Sequence, residues 1–187
     1  MFERGFKAWC EKYSTEKRLE LGLQVDDPLD AFKLAKHLGV KVWSPRDVPG
    51  LSEESLGVLL RYDGTTASCW SAVTIVVNHR ILVILNSSHT PGRQSSDLTH
   101  ELAHHIRGHK AQEASVSADG LMMLKSYDKI YEEEADWLSS SLLLPREALL
   151  SIKRRGLDSA QAADEYGVSM KMLNYRLSMT GVNRQFK

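Results

Sequence analysis

The chain has 187 residues, 42% of them hydrophobic and 26% charged, which suits one domain with a real core and room for a small appendage. Lys+Arg and Asp+Glu balance at 24 each, so no global charge selects nucleic acid or an anionic membrane as a partner. Two cysteines, Cys10 and Cys69, are too few for a disulfide framework and read as reduced thiols in a cytoplasm, while "MFERGFKAWCEKY" lacks the apolar core of a secretory signal and the uncharged run from Gly64 to His79 is too short and polar to span a membrane.

The first predicted element is a helix within Phe2 to Gly22, where helix formers mix with charges of both signs. In "DDPLDAFKLAKHLGV", Asp27 is expected to cap a second helix with Pro28 at its first position. Leu29, Phe32, Leu34, Ala35 and Leu38 form its stripe, and Gly39 ends it. "VKVWSP" reads as a short strand. After a loop with Pro45, Pro49 and Gly50, the stretch "GVLLRYDGTTASCW" carries Asp63-Gly64, a hairpin signal. Two β-branched runs, Val73–Val77 and Ile81–Leu85, flank "NHR" and predict a second hairpin, hence a small antiparallel or mixed sheet. "SSHTPGRQSS" is a loop turning at Pro91-Gly92, with Ser96 or Asp97 as the cap of the next helix. There Leu98, Leu102 and Ile106 recur at i, i+4 and i+8, and Gly108 is the stop. Lys110 to Gly120 is polar and reads as a flexible loop. "YDKIYEEEADWLSSSLLLP" is a long helix with Ile130, Ala135, Leu138 and Leu142 on its buried face. Pro145 ends it and opens "PREALLSIKRRG", which Gly156 closes. Two short helices follow, around Gly167-Val168-Ser169.

Four of the seven histidines lie in "LTHELAHHIRGH", Leu98 to His109. His100-Glu101-Leu102-Ala103-His104 has the form H-E-x-x-H. Residues i and i+4 of a helix differ by about 40° of rotation, so both imidazoles project from one face and offer two nitrogen donors to a single zinc ion. Glu101 lies about 100° around the helix from His100, placed to act as a general base rather than a ligand. A catalytic zinc needs a third protein ligand. Of Glu132, Glu133 and Glu134, Glu132 shares a face with Asp136, whereas Glu134 shares one with Ile130 and Leu138 and should turn toward the core. Glu132 is therefore the expected third ligand, and Asp136 the acceptor for the far ring nitrogen of a ligand histidine. His105 and His109 lie off the face of the first pair and read as surface or supporting residues. His37, His79 and His89 stand isolated.

These residues resemble the ImmA/IrrE family of zinc-dependent peptidases. The resemblance rests on "ILVILN", on "RQSSDLTHELAHHIRGH", and on "EEEADWLSSSLLLP" about 30 residues after His100. In the third segment Glu132, Ala135, Asp136, Leu138 and Leu142-Leu143-Leu144-Pro145 match the family's pattern. Asp136 stands where the family often has Asn, and Leu138-Ser139 where Phe-Ala is usual. The resemblance implies a gluzincin-like α+β fold, with a small sheet packed on the H-E-x-x-H helix and on the helix that donates the glutamate, and a helix-turn-helix-like C-terminal tail. It implies zinc held by His100, His104 and Glu132, Glu101 as catalytic base, and limited proteolysis of a protein substrate, a helix-turn-helix repressor in several family members. An exposed strand of the preceding sheet would hold the substrate extended. For the oxyanion, His109 and Tyr131 stay open.

The expected division is a metallopeptidase domain over residues 1–145 and a C-terminal helical subdomain over 146–187, packed on the first. A rival reading starts from that tail. Ala163, Gly167 and Leu173 fall at helix-turn-helix spacing, and Lys153, Arg154, Arg155, Lys171 and Arg176 give it positive charge. The chain would then be a DNA-binding regulator with a sensory or inactive metal site. Against this, Met170, Met172, Leu173 and Leu177 read as core, and the second helix offers few groups for base edges.

Overall fold

Capping chemistry sets where the first helices begin. The computed structural model describes residues 2–61, 70–110, 114–116, 122–124 and 128–186. Helix α1 spans Phe6–Glu20. Helix α2 (Ala31–His37) starts later than expected because Asp30, not Asp27, is its cap, accepting hydrogen bonds from the amides of Phe32 and Lys33. Asp27 accepts from the amide of Gln24 instead. Strand β1 (Lys41–Trp43) follows. The stretch expected to run extended begins with a helix, α3 (Glu53–Leu59). Ser52 caps it through the amide of Ser55, Glu53 and Glu54 favour its first turn, and Leu56 is buried. The Asp63-Gly64 turn and Cys69 lie outside the described residues. Cys10 is buried, and burial foremost pushes its thiol up to about 12, so it is unreactive.

Strands β2 (Ala72–Val77) and β3 (Arg80–Leu85) form the hairpin. Asn78 and His79 both take positive φ, 47° and 61°, the pairing that matches a two-residue turn to the strand twist. Strand β1 joins β3 in parallel, so the sheet is mixed, in the order β1-β3-β2. Val83 and Leu85 of β3 face the core, and β2 is an edge.

Helix α4 (Pro91–Arg107) begins at Thr90, which accepts from the amide of Arg93, with Pro91 at the first helical position. Neither Ser96 nor Asp97 is a cap. Leu98 and Leu102 are fully buried and Ile106 packs at the edge of the core. Within the segment expected to be a loop, Ala114–Val116 (β4) pairs antiparallel with Met122–Leu124 (β5). Residues 111–113 and 117–120 lie outside the described residues. Helix α5 (Lys129–Leu143) is capped by Asp128. Ala135, Leu138 and Leu142 are buried, but Ile130 is exposed, because the buried face begins only at Glu134. Helices α6 (Arg146–Arg154), α7 (Ser159–Glu165) and α8 (Met170–Met179) complete the described chain, with Ser169 as the cap of α8. Leu173 and Leu177 are buried, whereas Met170 is half exposed and no part of the core. No described helix is long and apolar enough to cross a membrane.

Two apolar clusters meet at the end of α5. Leu138 and Leu142 belong to the cluster shared by α1, α2, α4 and the sheet, and Leu143 and Leu144 to that of α6, α7 and α8. The last carbonyls of a helix lack partners within it, and these are buried. Ser14 Oγ donates to the carbonyl of Ser141 at 2.9 Å, Arg18 Nη2 to that of Leu143 at 3.3 Å, and Arg176 Nε to that of Leu144 at 3.0 Å. Arg18 also donates to Ser14 Oγ at 2.6 Å and to the Asp27 carbonyl at 2.9 Å. Arg176 pairs with Glu11 at 2.6 Å, and the other oxygen of Glu11 accepts from the amide of Arg146 at 2.8 Å. Both guanidinium groups are fully buried. Burial foremost pulls Arg18 down to about 10, which still leaves it charged at neutral pH. Two contacts fix the tail further. Tyr166 donates to the Asp26 carbonyl at 2.7 Å, and a Cβ at Gly92 would stand 3.2 Å from the Gly167 carbonyl oxygen. Replacing Arg18 by Met strands the Leu143 and Asp27 carbonyls. We expect it to cost about 3 kcal/mol in denaturant unfolding, with the slope against denaturant unchanged.

Candidate metal centre

The site is built almost wholly by two helices. Helix α4 turns its apolar stripe inward through Leu98 and Leu102, which leaves His100 and His104 on the flank that meets α5. On α5, burial of Glu134, Ala135 and Leu138 directs Glu132 and Asp136 to the same meeting line. His100 Nε2 and His104 Nε2 stand 3.1 Å apart. Glu132 Oε2 lies 3.2 Å from His100 Nε2, and Glu132 Oε1 lies 3.6 Å from His104 Nε2. Each of the three side chains is about a quarter exposed.

The far nitrogens of both rings are also engaged. His100 Nδ1 lies 3.0 Å from Asp136 Oδ1. Burial pulls the His100 pKa down, but the hydrogen bond and charge of Asp136 outweigh it, and the net shift is upward. His104 Nδ1 lies 3.0 Å from His109 Nδ1. Burial, and then the neighbouring His100 ring, hold the His104 pKa below its ordinary value. His109 Nε2 is 3.3 Å from Glu134 Oε2, which also accepts from Arg107 Nε at 2.8 Å. Burial raises the Glu134 pKa, but Arg107 and His109 more than offset this and keep it below the usual carboxylate range. The His109 ring stacks on Tyr131 with centroids 4.3 Å apart and planes 8° apart. Arg107 lies over Phe6 and Trp9 at 5.0 and 5.1 Å from their ring centres.

Glu101 projects toward the sheet. Its Oε2 accepts from Thr74 Oγ1 on β2 at 2.5 Å. The structure therefore gathers His100, His104 and Glu132 at one point and Asp136 behind His100, with Glu101 held against the edge strand. His105 is exposed and stands apart. His89 pairs with Asp97 at 3.2 Å, and His37 with Glu20 at 2.7 Å.

Three residues outside the donor set support the site. For His109 the sequence leaves a surface and a supporting role open, and the structure favours the supporting one. Gly108 takes φ 64°, and the amide of His109 bonds back to the His104 carbonyl at 3.0 Å, so the chain folds over the helix end. A His directly after a stop glycine was the signal. Glu134 was expected near the core but without its partners Arg107 and His109. Thr74 gave no signal, since Thr is an ordinary strand residue.

The three donor atoms could hold a metal ion. Ligands about 2.0–2.1 Å from a tetrahedral zinc stand about 3.3 Å from one another, close to the separations found. The chemistry of the donors agrees. A neutral His100 that donates its Nδ1 proton to Asp136 has Nε2 free to bind a metal, 3.2 Å from Glu132 Oε2. That donor set, two imidazole nitrogens and a carboxylate, suits a zinc ion.

Among curated proteins, none matches the chain. Residues 53–178, from the first helical turn of α3 into the last turn of α8, match the model of the IrrE N-terminal-like domain, a peptidase family designated M78. The match covers well over half of the 187 residues and takes in both helices of the centre. The chain belongs to this peptidase family.

Proposed function

We propose that the chain is a zinc-dependent endopeptidase that cuts a protein substrate by limited proteolysis, in a reducing cytoplasm that suits its buried Cys10 thiol. One observation carries the reading: two imidazole nitrogens and a carboxylate converge within 3.1 to 3.6 Å, with a second carboxylate, Glu101, on the residue next to His100. Zinc held by His100, His104 and Glu132 would supply Lewis acidity, polarising a scissile carbonyl and lowering the pKa of a water toward about 7.

The chain's own groups supply the rest. Thr74 ties down Glu101 Oε2. Glu101 Oε1 then takes a proton from the attacking water and hands it to the leaving amine. Asp136 holds the ring of His100 in orientation. The substrate lies along β2, the edge strand that carries Thr74. Val77 and Arg80 flank the two-residue turn, so in the alternating ladder Thr74 and Val76 turn their backbone groups to the outer edge, where no described strand pairs. His109 is not an oxyanion donor in this reading, because both its ring nitrogens face His104 and Glu134. A helix-turn-helix repressor as substrate rests on the resemblance of the "LTHELAHHIRGH" and "EEEADWLSSSLLLP" segments to ImmA/IrrE peptidases. The DNA-binding alternative has less to stand on. Arg176 is fully buried, and Arg155 is held by Glu165 through two contacts of 2.7 Å.

Metal analysis of the purified chain should give about one zinc per molecule, and His104→Ala should lose it. Protein that carries no zinc and cannot be loaded ends the metallopeptidase reading. Glu101→Gln should keep the zinc and lower cleavage of repressors encoded beside the gene by about 10² to 10⁴-fold. Val76→Pro removes an amide on the outer edge without breaking the ladder. We expect it to raise KM about tenfold and leave zinc content unchanged, and an unaltered KM would place the substrate elsewhere.

A further inference from the structure

We propose that His109 is a positioning residue of the centre, which fixes the tautomer and orientation of His104 by accepting its Nδ1 proton. The inference rests on the metal reading above. It adds a role for residues that lie outside the three ligands and the base.

The direction of each hydrogen bond follows from one requirement. His104 turns Nε2 toward His100 and Glu132, so as a neutral ligand it carries its proton on Nδ1. That proton points at His109 Nδ1, 3.0 Å away, which must then be the acceptor. His109 is therefore protonated on Nε2, and that N–H points at Glu134 Oε2, 3.3 Å away. Glu134 Oε2 is an acceptor here, since the same oxygen takes the hydrogen bond of Arg107 Nε at 2.8 Å. With His104 binding as a neutral ring through Nε2, one arrangement of protons satisfies all three contacts. A neutral imidazole stands between carboxylate and ligand, and Arg107 balances the carboxylate charge.

Packing fixes the relay as firmly as its hydrogen bonds. The His109 side chain is 4% exposed and lies parallel to Tyr131. Arg107 is seated against Phe6 and Trp9, so α1 supports the outer end. The two ligand imidazoles are thereby treated differently. His100 is backed by Asp136, a carboxylate 74% exposed, and His104 by a buried histidine. A buried acceptor is not screened by water, and its loss leaves a buried N–H without a partner.

The test separates a hydrogen-bonding role from a packing role. His109→Phe keeps the stack on Tyr131 and loses the acceptor. His109→Asn loses the stack and keeps an amide oxygen near the position of Nδ1. Zinc dissociation constants from competition with a chromogenic chelator, and the visible spectrum of the cobalt-substituted protein, read the centre without any substrate. We expect His109→Phe to weaken zinc binding about 10- to 100-fold and to alter the cobalt spectrum, and His109→Asn to stay within about threefold of wild type. The reverse order, Phe retained and Asn lost, overturns the proposal in favour of packing. Wild-type affinity in both variants overturns it as well. Should His109→Phe fail to fold by circular dichroism, Glu134→Gln decides: a loss of about three- to tenfold supports the relay, and an unchanged constant refutes it. If the wild-type chain takes up no zinc, the metal reading fails together with the relay. If it does and the variants match it, the relay alone fails.

Discussion

Helix α5 carries a carboxylate of the candidate metal centre near its start and a set of buried carbonyls at its end, and the second condition governs the first. Helix carbonyls without partners are costly in a core. Here Ser14, Arg18 and Arg176 supply donors to residues 141, 143 and 144. A slip of one helical turn, about 5.4 Å, would take every carbonyl off its donor. The axial position of Glu132 is thus fixed from the opposite end of its own helix, about 15 Å away. A ligand set with separations of 3.1 to 3.6 Å leaves little room for error along that axis. The two buried guanidinium groups lie far from the chemistry, and they decide whether Glu132 meets the histidines.

The other coordinate is set by α4. Leu98, Leu102 and Ala103 seat it on the core, so rotation about its axis would expose apolar surface worth roughly 2 kcal/mol for each leucine. Position along one helix and rotation of the other then determine where three donors meet. What remains is the rotation of each imidazole about its own bonds, and neighbours outside the ligand set take that up. Asp136 comes from α5, His109 from the turn beyond Gly108, and Glu134 from α5 again. Helix α5 therefore supplies a donor and also holds both rings that share the site with it.

Legibility of the fold in the sequence followed the range of the interactions. That His100 and His104 share a face follows from spacing within one helix, and so does the grouping of Glu132 with Asp136. The hairpin at Asn78-His79 was equally local. Helix starts were misplaced at Asp27 and at Ser96 or Asp97 because several side chains compete to cap, and tertiary context chooses between them. The helix at Glu53–Leu59 was hidden by Val58 and Leu59-Leu60, which look like the start of a strand when Ser52-Glu53-Glu54 is not weighed as a helix start. His109 stays between a surface and a supporting role in the sequence, because its place depends on how the chain turns at Gly108. Arg18 and Arg176 could not be found at all. A charged side chain reads as surface, and only the assembled core shows that the end of α5 leaves buried carbonyls for them to satisfy.

Arg176 also bears on what the C-terminal helices are for. As a sequence they offer positive charge and helix-turn-helix spacing. In the fold, the guanidinium of Arg176 is enclosed and divided between the Leu144 carbonyl and Glu11. Glu11 in turn accepts the amide of Arg146 at the start of α6. Tyr166 reaches back to the Asp26 carbonyl, and the turn at Gly167 fits closely against the first turn of α4 at Gly92, where a Cβ would stand 3.2 Å from the Gly167 carbonyl oxygen. Moving these helices onto a DNA groove would uncover the end of α5 and the start of α4 together. Those two ends locate the carboxylate and the histidine pair. The tail is thus better understood as the outer half of the frame that holds the candidate metal centre than as a separate reader of nucleic acid, and the charge of Arg176 is committed to that frame.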